Sequence, residues 1–289
     1  MTIVACFSAS SQGRAPLHLA AQIARCTGDK VVAVSIVERP WRPEPDPVEQ
    51  EYISYVTGQT KRVLEEAVAS LPADVDKWAV VSESDSVPKG LTELATEVNA
   101  DVVVVGSSST GLLGRVTLGS VSGRLVHTAQ VPVAIAPRGY PGDPGCIRRL
   151  SVAYGGQAKN VGLIASSAEL ANKWSAQLRI VSFTVRPVYG AFERSAEEMV
   201  VHQWEKRTTD EIAKQLNTVR SAVAVAEVEV ETGIGHDWRA AVEDVPWEAG
   251  DLFLLGSGAA GAKAQVFLGS AASKILRHTP VPVMILPAR

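Results

Sequence analysis

A single register of self-similarity constrains this 289-residue chain more than any other feature. Gly106-Ser107 recurs as Gly256-Ser257, and Leu118-Gly119-Ser120 as Leu268-Gly269-Ser270. Val131-Pro132-Val133 recurs as Val281-Pro282-Val283, and Pro137 as Pro287. All these pairs share one offset of 150 residues, without a gap. A solenoid repeat is roughly 20–50 residues long, so this period marks a duplicated domain. The stretch from Arg138 to Gly145 is dense in Gly and Pro and cannot continue a helix or strand. The expected organisation is a first domain over 1–138, a linker over 139–147 and a second domain over 148–289.

Within the first half, apolar runs alternate with helical spacing. Strands are predicted at 3–7, 31–37, 78–81, 102–105 and 131–136, and helices at 17–24, 52–71, 91–98 and 119–128. Tyr52, Ile53, Val56, Val63, Leu64, Ala67 and Leu71 recur mostly at steps of three and four, as one helix face does. The run Val102-Val103-Val104-Val105 has no polar alternation. Strands of that kind are buried on both faces, the habit of parallel sheets covered by helices. The second half repeats the order with strands at 150–154, 178–185, 223–230, 252–255 and 281–286. Its helices are expected at 161–174, 192–216, 236–245 and 270–278. The fold class is α/β: two tandem doubly wound sheets, five strands each and mostly parallel, with helices on both faces.

A net charge of −3 and a pI near 6.0 give no general attraction to nucleic acid or anionic membrane. No apolar run approaches the ~20 residues of a membrane helix, and the opening residues read as a buried strand rather than a signal peptide. The three cysteines, Cys6, Cys26 and Cys146, are widely spaced and form no disulfide framework or metal pattern. A cytoplasmic location is the expectation.

In a doubly wound sheet, ligands sit beyond the carboxyl ends of strands, at the point where strand order reverses. Val105-Gly106 and Leu255-Gly256 end the fourth strand of each half. Gly119-Ser120-Val121 and Gly269-Ser270-Ala271 open the following helix. Helix N-termini present free N–H groups that attract phosphate. No Asp or Glu occurs from Val102 to Gly142, or from Leu252 to the end, while Arg115, Arg124, Lys263, Lys274, Arg277 and Arg289 do. Each half therefore carries a candidate anion cradle. Gly and Ser also occupy such turns with no ligand, Ser as a good N-cap, so these residues alone leave both readings open. Gly256-Ser257-Gly258-Ala259-Ala260-Gly261 spells a dinucleotide fingerprint, but it follows the fourth strand instead of the first and no acid follows it. No P-loop Gly-Lys-Ser/Thr occurs.

The spacing from Gly106 through Ser109 to Gly119-Ser120, with the closing strand after Val131, resembles the ATP-binding loop of the universal stress protein family. The same features run from Gly256 through Ala259 to Gly269-Ser270 and Val281. The resemblance spans nearly the whole chain. It implies a stress-response or signalling module that binds ATP, with Mg2+, or a related adenine nucleotide. The implied nucleotide-binding residues are Ser8, Val105, Gly106, Ser109, Gly119, Ser120 and Val121, then Leu255, Gly256, Ala259, Gly269, Ser270 and Ala271. Two departures stand out. Nucleotide-binding members carry Gly where this chain has Ser109 and Ala259. They also carry an Asp after the first strand, where this chain has Ser8 and Gly155.

His18, His127, His202, His236 and His278 are scattered, and no nucleophile–base–acid set or metal spacing surrounds them. The sequence predicts a binding module rather than an enzyme, with slow ATP hydrolysis the most that relatives suggest. Two functional classes remain open at this point. One is a nucleotide-binding module; the other is a degenerate scaffold that works through an unidentified protein partner. Under the second, the long second helix of each half and the segments 37–50 and 185–195 are the candidate surfaces. The resemblance further implies an intramolecular pseudo-dimer, in which the last strands of the two halves meet, and allows a homodimer of tandem chains.

Overall fold

The valine-rich runs form the inner strands of a single sheet. In the computed structural model, residues 2–9, 13–39, 46–142, 145–155, 160–186, 194–225, 227–259 and 266–287 are described, the side chains of 160, 194–198, 200–201, 258–259 and 266–267 excepted. The first half runs β1 (Thr2–Cys6), α1 (Ala15–Thr27), β2 (Lys30–Glu38), α2 (Pro47–Ala69), β3 (Lys77–Ser84), α3 (Val87–Glu97), β4 (Val102–Gly106), α4 (Ser120–Thr128) and β5 (Val133–Ala136). The second runs β6 (Arg149–Tyr154), α5 (Asn160–Trp174), β7 (Gln177–Val185), α6 (Arg194–Arg220), β8 (Val228–Gly235), α7 (Trp238–Asp244) and β9 (Asp251–Gly256). It ends with β10 (Gly258–Ala259), β11 (Val266–Phe267), α8 (Ser270–His278) and β12 (Val283–Leu286).

Local signals fix several boundaries. Asp46 accepts a hydrogen bond from the Val48 N–H at 2.8 Å, and Pro47 opens α2 with its φ already set. Gly28 closes α1 in the left-handed region, at φ +68°, and its N–H donates to Ala24 O.

The strand order is β3-β2-β1-β4-β5-β12-β9-β6-β7-β8. Every pairing within a half is parallel in the main sheet. The halves meet where β5 pairs antiparallel with β12, Ala134 opposite Met284. The two expected five-stranded sheets are thus one continuous ten-stranded sheet, and the last strands do meet inside one chain. Each strand completes the other's edge. Register is also duplicated: Ile3 lies beside Val102 as Leu150 lies beside Leu252. Ser8 and Gly155 are therefore equivalent positions.

Successive residues of a strand point to opposite faces, and the core divides accordingly. Ile3, Ala5, Leu150 and Val152 pack with α1, α2, α5 and α6 on one face. Val4, Val103, Phe253 and Leu255 pack with α3, α4, α7 and α8 on the other. Each layer runs through both halves. The one departure from the expected element order is the short antiparallel ribbon β10–β11, placed between β9 and α8. The helix-like spacing expected at 236–245 contracts to α7, and the predicted strand at 223–230 begins only at Val228.

Candidate functional site

β1 lies between β2 and β4, so the strand order reverses at the β1/β4 crevice, where a ligand site is expected. Gly106, partly buried, ends β4 there. A Cβ on it would reach within 3.4 Å of the Pro16 ring, because the first turn of α1 covers this corner. Beneath it, Val105 is core. Across the crevice Ser8 is exposed. Gly13 folds back onto it so closely that a Cβ would lie 1.6 Å from the Ser8 carbonyl oxygen. Only glycine fits that return.

The loop from β4 to α4 is braced from inside. The Ser107 N–H donates to Ala136 O, continuing the β4–β5 ladder by one bond. Its Oγ accepts from the Thr117 N–H at 2.7 Å and faces Thr117 O at 3.1 Å. The Ser108 N–H donates to Thr117 O at 2.7 Å, so the loop closes as a clasp. Arg138 ties its far side, donating to Gly111 O at 2.6 Å. Gly114 turns with φ +70° and donates to Arg138 O. Ser109 stands exposed at the rim.

At the end of the clasp, the Gly119 N–H donates to Ser122 Oγ, and Ser122 is buried. The first-turn N–H groups of α4 that follow lie at a helix N-terminus without an acidic residue in its first turn. Ser120 is exposed and Val121 half-buried beside them. Gly119 is extended, at φ −92° and ψ −172°. A Cβ there would meet Ser108 only at ordinary contact, 3.5 Å. Its lack of a side chain serves open space rather than backbone strain.

The second half uses the same sequence pattern differently. A Cβ on Gly256 would come within 3.1 Å of Leu163, whose side chain from α5 stands where Pro16 stands in the first half. Leu255 is core. Ser257 is buried and donates its hydroxyl to Leu286 O on β12 at 2.9 Å. Gly258–Ala259 then pairs with Val266–Phe267 as the β10–β11 ribbon. The Ala259 side chain, Lys263 and Arg289 lie outside the described residues, as do 40–45 and 187–193 of the segments expected to carry partner surfaces. Gly269, Ser270 and Ala271 are exposed at the start of α8, and among the described residues nothing lies within 4 Å of a Cβ on Gly269.

A sequence model of the universal stress protein family matches residues 1–137 and 147–287. The chain belongs to the universal stress protein family. Universal stress proteins of Mycobacterium bovis and of Mycobacterium tuberculosis strain H37Rv are each 32% identical over 298 residues, covering 99% of this chain and 100% of theirs. In fold it is similar to a universal stress protein from Archaeoglobus fulgidus, at 16% identity and a TM-score of 0.56, covering 99% of this chain and 96% of that one. A functionally unknown protein from Pseudomonas aeruginosa PAO1 has the same TM-score at 13% identity, covering 99% and 92%.

Against the universal stress protein pattern, the first half brings Ser8, Val105, Gly106, Ser109, Gly119, Ser120 and Val121 to the strand-end edge of its sheet. Arg115, a candidate anion partner, is engaged instead with Glu243 of α7 at 2.7 Å. Arg239 holds the same carboxylate at 3.2 Å, and this ties the clasp to the second half. Nearby, Asp237 caps α7 through the Ala240 N–H, which holds its carboxyl below the usual range. His278 is held below the ordinary imidazole value, chiefly by burial. Sequence reasoning missed Ser107, Thr117, Ser122 and Arg138 as the scaffold of the loop. The signal was there in part, because Ser107 is one of the residues repeated at the 150-residue offset. Among the described residues, no cluster of three or more His, Cys, Asp or Glu could hold a metal ion. No helix among them is long and apolar enough to cross a membrane.

Proposed function

We propose that the protein is a stress-response module that binds an adenine nucleotide in its first half, with the phosphates against the start of α4. The second half serves as its structural partner. The observation that carries this reading is the clasp. Ser107, Ser108 and Thr117 hold the open N-terminus of α4, with Ser120 exposed on it, next to the crevice where strand order reverses. Amides fixed at a helix start are a ready phosphate site. Mg2+ would arrive with the phosphates, since they and water suit its ligand preferences. The residues present fit the phosphates better than the nucleoside, because Ser8 offers a neutral hydroxyl where nucleotide-binding relatives have a carboxylate.

The test is calorimetry with ATP and Mg2+ on nucleotide-stripped protein, using Ser120→Glu and Ser270→Glu. A glutamate at the first helical position favours the helix dipole, so neither variant should lose stability. Ser120→Glu places a negative charge against the phosphates and should weaken binding at least about tenfold, about 1.4 kcal/mol. Ser270→Glu should leave it unchanged. Equal weakening by both, or none by Ser120→Glu, would refute the assignment to the first half.

A scaffold reading draws on a different observation. Val48, Tyr52 and Tyr55 lie at helical spacing on α2 and are each at least 65% exposed. Leu112 and Leu113 at the tip of the clasp are exposed to a similar degree. Under that reading, ATP produces no heat at millimolar concentration and Tyr52→Ser with Tyr55→Ser removes partner binding.

A further inference from the structure

The three cysteines look unrelated in sequence, with Cys26 and Cys146 separated by 120 residues. Folding brings two of them together. Cys26 lies in the last turn of α1, and the connection between the halves runs alongside that helix. His18 Nδ1 is 3.2 Å from Tyr140 O, and the Tyr140 hydroxyl donates to Gln22 Oε1. One turn further on, the Ile147 N–H donates to Cys26 Sγ at 2.9 Å, and the Cys26 thiol lies 3.5 Å from Ile147 O. Cys146 immediately precedes Ile147. Its Cα is one carbonyl carbon from that nitrogen, which places it within roughly 5 Å of the Cys26 sulfur. Ile147 is buried in the core, so this end of the connection is pinned. Cys146 is exposed and Cys26 half-buried.

We propose that Cys26 and Cys146 form a reversible intramolecular disulfide under hydroperoxide, a covalent staple between α1 of the first half and the connection to the second. The exposed Cys146 thiolate attacks one peroxide oxygen, and the O–O bond breaks. Sulfenic acid forms and hydroxide leaves. The Cys26 sulfur then attacks the sulfenic sulfur, the S–O bond breaks, and water leaves with the Cys26 proton. Two thiols and one hydrogen peroxide thus become one disulfide and two waters. The division of roles follows from exposure, since the attacking thiol must be reached by oxidant. Burial pushes the Cys26 thiol up to about 12, with its Cys146 neighbour acting in the same direction, so Cys26 is not the thiol that meets peroxide first, and its place beside Cys146 gives it the resolving role. Cys6 takes no part because it packs on the opposite face of the sheet from α1, in the layer of α3 and α4. The sulfurs must close to about 2.05 Å, a movement that the exposed Cys146 side chain can supply.

The experiment treats the reduced full-length protein with hydrogen peroxide, blocks free thiols and maps tryptic peptides without reductant. The expected result is peptide 26–30 joined to peptide 139–148, separable by dithiothreitol, with Cys6 still alkylated. Cys146→Ser and Cys26→Ser should each abolish the link. Were Cys26→Ser to fold poorly, Cys146→Ser at its exposed site would decide alone. Cys146 recovered alkylated, recovered as sulfinic acid without a link, or joined to Cys146 of a second chain would overturn the proposal.

Discussion

Where the first half sets Val4 and Val32 side by side on β1 and β2, the second sets Ser151 and Arg179 on β6 and β7. Arg179 is fully buried. It donates to Ser151 Oγ, Pro246 O and Asp251, and stacks 5.2 Å from the Trp247 ring. Asp251, 2% exposed, also takes Arg149 at 2.8 Å and the Glu248 N–H at 2.9 Å. Burial holds the Arg179 guanidinium below its ordinary value, while the Asp251 hydrogen bond raises that of Arg149. A second substitution of the same kind lies between strand and helix. In the first half the glycine is on the helix, where Gly90 faces Ser84. In the second it is on the strand, where Gly233 and Gly235 face the backbone of Ala241 and Ala240. Both solutions achieve the same close approach. The duplicated fold is thus defined by register and layer, and each half meets those demands with its own residues. The clasp and the β10–β11 ribbon are the same divergence at the strand-end edge.

Asp251→Ala leaves Arg179 and Arg149 without their shared carboxylate and should cost about 3–5 kcal/mol in denaturant unfolding. The paired change Arg179→Val with Ser151→Val, which copies the first half, should be nearly neutral, since Asp251 keeps Arg149 and the Glu248 N–H while an apolar pair fills the layer. A loss as large as that of Asp251→Ala would show that the network does more than fill the layer.

The glycine exchange gives the next largest contrast. A Cβ at Gly233 would sit 2.1 Å from the Ala241 carbonyl oxygen. Gly233→Ala should therefore destabilise by at least about 3 kcal/mol, at the upper end of overpacking costs. Gly90→Ala meets Ser84 Cβ at 2.9 Å, and the contact is offset by about 1 kcal/mol of helix propensity. It should fall near zero to 1 kcal/mol by the same measurement.

Ser8→Asp should tighten ATP about tenfold or more by calorimetry, the worth of a charge-assisted hydrogen bond. Gly155→Asp should gain nothing, because Leu163 and the ribbon shape the second loop.

The smallest effect concerns pH. His278 has a folded value lowered by burial, so the unfolded chain binds its proton first. Its stabilising contribution is present above about pH 6.5, the unfolded value, and is lost as pH falls from there to the folded value. Thermal unfolding should show a shallow loss over that window, and His278→Gln should flatten it.

Much of the fold was legible because its signals are repetitive. Unbroken valine runs, helical spacing and the constant offset of 150 residues fix strand and helix order without any knowledge of contacts. The pseudo-dimer through the last strands came from the family resemblance. What stayed hidden depends on partners far away in sequence. Arg179 sits between Leu178 and Ile180 in an ordinary strand pattern, and partners distant in sequence, Ser151, Pro246, Trp247 and Asp251, explain its burial. Gly256-Ser257 and Gly106-Ser107 read identically, yet the Ser107 hydroxyl accepts from Thr117 N–H in the clasp while the Ser257 hydroxyl donates to Leu286 O on β12. Cys26 and Cys146 meet only because the connection lies along α1.

The most direct test of the asymmetry between halves is amide hydrogen exchange with and without ATP and Mg2+ at saturating concentration. New protection is expected at residues 106–123, with 256–273 unchanged. Matching protection in both loops, or protection in the second alone, would contradict it.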